Sequence, residues 1–155
     1  MSTPRLTRRS AIAVCGALAL VTGIGDQNAL AESGRRFGNI RVDVARLRTN
    51  AGDQIAAWVQ QELPGRLAEA MAARMAPNGA TLVVRVDYLT FGPIKDSAAW
   101  DNISGVAVVG DVERPVRATA RHQVSAIDQT MIEQTNHYRV AQLVQALTFW
   151  LARDL

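Results

Sequence analysis

Residues 1–31 set the terms for the rest of the chain, because they read as an export signal and not as part of a fold. Arg5, Arg8 and Arg9 give a basic start, and Ala11 to Ile24 is uncharged and largely apolar. Asp26-Gln27-Asn28 then leads into Ala29-Leu30-Ala31, the small-x-small pattern at which signal peptidase cuts. Thr7-Arg8-Arg9-Ser10-Ala11-Ile12 matches the twin-arginine motif in part, so the twin-arginine and general secretory routes both stay open. The apolar run is shorter than the roughly 20 residues that span a bilayer, and Gly16 and Gly23 interrupt it. Cys15 follows Val14, whereas bacterial lipidation wants a small residue there and a full apolar run ahead. The expectation is a soluble periplasmic protein cleaved after Ala31, with no lipid anchor and no stable transmembrane anchor.

Cleavage carries away Cys15, the only cysteine. Residues 32–155 then make one domain of ordinary size without a disulfide, a thiol nucleophile or a thiolate metal site, so an apolar core must stabilise it. The chain has 17 basic and 14 acidic side chains. Three arginines and one aspartate leave with the signal, and the nearly neutral remainder gives no global reason to bind nucleic acid. Lys95 is the only lysine. That bias fits GC-rich coding, or forked recognition of phosphate and lipid headgroups by arginine.

The periodicities predict β-α-β-β-β-α, an α+β domain with a mainly antiparallel four-stranded sheet and two helices packed on one face. Residues 32–38 read as a flexible lead-in to a domain over 39–155. Asn39–Leu47 alternates as a strand, with Ile40, Val42 and Val44 on one side. Asn50 and Asp53 mark a helix start. Ile55, Val59, Leu63, Leu67, Met71 and Met75 then recur every four residues along one helical stripe. Pro64-Gly65 predicts a kink or a break within it, and Pro77-Asn78-Gly79 a turn. Ala80–Phe91 reads as a strand with Leu82, Val84, Val86 and Tyr88 on one face. A loop runs from Gly92-Pro93 to about Asn102, and Ile103–Val109 and Val116–Ala126 form a hairpin. Asp128–His137 is loop, and Tyr138–Leu155 is a helix with Val140, Val144, Leu147, Leu151 and Leu155 inward.

Catalytic patterns are missing from the sequence. His122 and His137 are the only histidines and lack a metal-ligand spacing. No serine stands in Gly-x-Ser-x-Gly, and no phosphate-cradling loop precedes a lysine. Asp43 and Asp87 lie two residues from Arg41 and Arg85, which suits cross-strand ion pairs better than a carboxylate dyad. No catalytic residue, cofactor or metal site is expected.

Binding features are better defined. Arg117, Thr119, Arg121 and Gln123 alternate on the polar side of the last strand, near Arg85 if strands pair in order, as a patch for an anionic partner. Ile94 and Trp100 fall in the Gly92–Asn102 loop, where a tryptophan serves as a binding anchor or folds back over a sheet edge. Trp58, Phe149 and Trp150 lie on helices, and Phe149 departs from the inward spacing and marks an apolar flank.

The order strand, long helix, Ala80-Thr81-Leu82-Val83-Val84-Arg85-Val86, Gly-Pro loop, Gly105-Val106-Ala107-Val108-Val109-Gly110-Asp111 and terminal helix resembles small cell-envelope accessory proteins of Gram-negative bacteria. These include auxiliary lipoproteins of envelope transport systems and families without assigned function. Many are lipid-anchored, and here this chain departs from them. The resemblance implies a binding or assembly module with no catalytic residues to transfer. The leading expectation is a non-enzymatic periplasmic accessory domain docking onto an envelope protein. The alternatives are a carrier or sensor of a small amphiphile such as a lipid, and a hydrolase with an unfamiliar site.

Overall fold

A computed structural model describes residues 35–93, 99–121 and 131–155. Its elements are β1 (Phe37–Asp43), α1 (Ala45–Ala51), α2 (Asp53–Ala70), a short 3-10 turn (Ala72–Arg74), β2 (Ala80–Thr90), β3 (Trp100–Val109), β4 (Val112–Arg121) and α3 (Ile132–Asp154). The fold is α+β, with one four-stranded sheet in the order β1-β2-β3-β4. β1 and β2 run parallel because helices connect them, and the other two pairings are antiparallel. The signal residues Ala29 and Ala31, together with Ile94 and His122, lie outside the described residues.

The first strand starts earlier and ends earlier than its alternation suggests. Phe37, expected in a flexible lead-in, is fully buried in β1. Asp43 ends the strand: its Oδ1 accepts the Ala45 N–H at 2.9 Å, a local bond that turns the chain into α1. Asn50 therefore belongs to a helix end, not a helix start, and its Nδ2 donates to the Asp87 carbonyl of β2 at 2.8 Å.

The helical break expected at Pro64-Gly65 falls at Gly52. There φ is 92° and ψ is 165°, a region that is essentially glycine's alone. α2 then runs from Asp53 through Pro64 to Ala70 as one helix. Its four-residue stripe holds where it matters, with Val59, Leu63, Leu67 and Met71 fully buried. Two substitutions should move stability in opposite directions. Gly52→Ala forces a side chain into the strained region and is expected to cost about 1–3 kcal/mol. Gly65→Ala has open space around its new Cβ and removes a helix-interior glycine, so about 0.5–1 kcal/mol of stabilisation is expected. Urea denaturation of both variants checks the pair.

β3 and β4 are joined by two residues, Gly110-Asp111, with Val109 opposite Val112. Gly110 has φ of 61°, the left-handed value a tight hairpin turn needs at its first position. α3 begins at Ile132, so the segment expected to be loop up to His137 is helical from there. Among the described residues three α-helices stand where two were expected, with α3 against α2, β4 and β3. Val140, Val144, Leu147, Leu151 and Leu155 are buried as the spacing requires. They share one core with Ile40, Val42, Leu82, Val84, Val86, Ile103, Ala107 and Ala118 from one face of the sheet. Arg74 ties the ends together. It donates to the carbonyls of Arg35 (3.2 Å) and Ala152 (3.3 Å), with its guanidinium 5.0 Å from the Phe37 ring centre. Desolvation by burial lowers its pKa below the ordinary arginine value.

Candidate functional site

Strand alternation puts Arg41 of β1, Arg85 and Tyr88 of β2, Trp100 and Asn102 of β3, and Arg117, Thr119 and Arg121 of β4 on the sheet face opposite the core. Tyr88 is expected inward with Leu82, Val84 and Val86, and instead it faces out. The register shifts between Val86 and Tyr88, so Asp87 is an extra residue that opposes nothing on β3. Past this bulge the parity inverts: Asp87 and Leu89 turn inward and Tyr88 becomes 58% exposed.

Trp100 is not in a loop. It is the first residue of β3, directly opposite Arg121 of β4, and is 53% exposed. The Arg121 guanidinium carbon lies 6.0 Å from the Trp100 ring centre, within cation–π range. Arg117 sits opposite Ser104, and its Nη2 donates to Asn102 Oδ1 at 2.8 Å, which orients the guanidinium beside Trp100's neighbour. The structure thus brings Trp100, Arg117 and Arg121 onto one corner of the sheet face turned away from the core. Arg85 is not part of that corner. It lies beyond β3, opposite Val106, with its Nε 3.3 Å from Asp87 Oδ1. Both of those atoms are buried and lack an aligned hydrogen bond, so the contact is Coulombic. Arg46 of α1 approaches the same oxygen at 3.9 Å.

Behind this corner is a feature that the sequence reading did not single out. Arg139 of α3 is 2% exposed and Asp101, next to Trp100, is 1% exposed. Arg139 Nε donates to Asp101 Oδ2 at 2.8 Å and its Nη2 donates to Asp101 Oδ1. Nη2 also donates to the Gly92 carbonyl at 2.6 Å, while the Gly92 N–H donates to Asp101 Oδ1 at 2.9 Å. The guanidinium rests 4.4 Å from the Phe91 ring centre. Two signals pointed here: Arg139 precedes Leu143, Leu147 and Leu151 at four-residue intervals, and Asp101 has the inward parity of Ile103 and Ala107. Opposite charges at two inward positions predict a pair.

His137, expected in a turn before the last helix, lies within α3 and stacks on Trp58 at 5.0 Å. Its Nε2 is 3.0 Å from Glu62 Oε1, and Arg66 holds the other oxygen at 3.2 Å. A cleft of about 550 Å3 opens beside Trp58, between the start of α2 and the start of α3. Among the described residues no group of three His, Asp or Glu side chains is placed to hold a metal ion, and no helix is long and apolar enough to cross a membrane.

No protein-family model matches this chain, and no curated protein does. Among solved structures it is similar to a minor lipoprotein from Acinetobacter baumannii, with a TM-score of 0.45 and 12% identity, over 77% of this chain and 90% of that one. The functional reading rests on the chain's own residues.

Proposed function

We propose that this protein is a non-enzymatic periplasmic accessory domain that docks onto an acidic surface of another envelope protein through the corner formed by Trp100, Arg117 and Arg121. The observation that carries the reading is the half-exposed Trp100, directly opposite Arg121 on the sheet face turned away from the core. Tryptophan and arginine dominate the energetics of protein interfaces, since each offers large contact area with a polar handle. Among the described strand residues, the acids on this face, Asp43 and Glu113, belong to the far edge strand and the far end of β4. Asp43 is also engaged by the Ala45 N–H. Arg117, whose guanidinium is held by the neutral Asn102 side chain, brings positive charge to this corner, and an acidic partner complements it. The export signal supplies the compartment. The absence of a recognisable catalytic pattern supports a binding role.

The test is capture of envelope proteins on the tagged, exported protein, with Trp100→Ala and Arg117→Ala/Arg121→Ala in parallel. An identified envelope protein with an acidic face should be retained by wild type and released by added salt, because exposed charge pairs are screened. Trp100→Ala should weaken that complex by about 2 kcal/mol, roughly thirtyfold in affinity. Capture that ignores both variants, or salt, would refute the proposal.

A further inference from the structure

A second site lies around the edge of β4 from the docking corner. Between β4 and the last turns of α3 runs a groove of about 520 Å3, within the range of small-molecule sites. Its walls are apolar: Pro115 and Val116 from the strand, Trp150, Leu151 and Leu155 from α3. Trp150 is 40% exposed even though it lies beside the core residue Leu151, so the groove leaves a large aromatic surface wet. Phe149 meets it edge-on at 6.4 Å, and the Arg153 guanidinium covers it at 3.8 Å from the ring centre.

The strand edge in this groove resists pairing with another chain. Proline has no N–H to give to a ladder, so Pro115 is tolerated in β4 only at a position whose N points away from β3, toward the groove. A strand added here would find a missing donor, whereas an apolar tail needs none. In the lining two arginines stand against one acid. Arg114 and Arg117 flank the groove on the two faces of β4; Arg114 Nη1 donates to the Asp154 carbonyl at 3.2 Å, and Arg117 is oriented by the neutral Asn102 side chain. The acid in the lining, Asp154, has its Oδ1 2.8 Å from Arg153 Nε.

We infer that this groove binds a single-chain anionic amphiphile, with the tail on Trp150, Val116 and Leu155 and the headgroup at Arg117. This site is separate from the docking corner, although Arg117 borders both, so Trp150 and Trp100 distinguish them. The test is calorimetric titration of the exported protein with decanoate below its micellar concentration, with decanol and decyltrimethylammonium as neutral and cationic counterparts. Decanoate should bind at least tenfold tighter than either counterpart. Trp150→Ala and the exposed Arg117→Ala should each weaken it about tenfold, and Trp100→Ala should leave it unchanged. No binding of decanoate, equal binding of decanol, or indifference to both groove variants would overturn the inference. Loss of protein capture with decanoate binding intact would refute only the docking role.

Discussion

Arg139→Ala is expected to lose about 3–5 kcal/mol of folding stability in urea denaturation, the range found when one partner of a buried ion pair is removed. The cause is the charge left behind. Asp101 is 1% exposed and would keep a carboxylate in the core with its guanidinium partner gone. Gly92 would lose the donor to its carbonyl as well. Asp101→Ala should cost a similar amount, for the mirror-image reason, and would also release the Gly92 N–H. The double substitution Arg139→Met/Asp101→Val removes both charges with a smaller change in volume than a larger apolar residue would bring, and should recover part of the loss, the remainder being the Gly92 backbone groups left without their partners. If the single substitutions cost less than about 1 kcal/mol, typical of an exposed pair, the buried pair is not formed in solution. The pair has a further consequence. By fixing Gly92 to Asp101 it fixes the residue after Trp100, so Asp101→Ala should lower partner capture even where the protein remains folded.

Gly105→Ala is the second large effect, with an expected cost of about 3 kcal/mol, at the upper end for forcing added volume into a packed site. A Cβ on Gly105 would stand 1.9 Å from the Arg85 carbonyl oxygen and 2.9 Å from the Val86 Cα. These are backbone atoms, so no rotamer change relieves the overlap. Gly105 sits opposite Val86 where the register shifts, and its bare backbone lets β2 crowd over β3 at the bulge. The variant should therefore perturb the bulge as well as lower the urea midpoint. Tyr88, Asp87 and Leu89 owe their facing to that bulge, and their backbone amide shifts in NMR spectra should move more than those of Leu82 and Val84. A Gly105→Ala protein as stable as wild type would rule out this close approach.

Much of the fold is legible in local periodicity. The four-residue stripe through Val59, Leu63, Leu67 and Met71 and the inward spacing of Val140, Val144, Leu147 and Leu151 reflect a 3.6-residue turn facing one core, and all eight residues are buried. Leu82, Val84 and Val86 alternate as a pleated strand must. Element ends were less legible. Val44 has the alternation of a strand but opens a helix, where Asp43 Oδ1 accepts the Ala45 N–H and the Val44 carbonyl accepts the Arg48 N–H. Pro64 reads as a breaker because proline removes a helical hydrogen bond, yet the buried stripe on either side keeps α2 continuous.

The candidate site was legible only in part. Arg117 and Arg121 share a face by strand parity alone, and in the structure that face is turned away from the core. Their meeting with Trp100 depends on the β3–β4 register, which local sequence does not encode once the strand limits are uncertain. Arg85 has the right parity, but Asp87 claims it at a bulge in β2 that lies against Gly105 of β3. What the sequence alone determined is therefore the α+β class and the apolar stripes, because these rest on composition and on the fixed periods of helix and strand. Tertiary structure alone decided the turning of Tyr88 outward, the burial of Arg139 against Asp101 and the groove at Trp150. Each of these depends on contacts between residues far apart in the chain, whose energies come from desolvation and close packing that no local window contains.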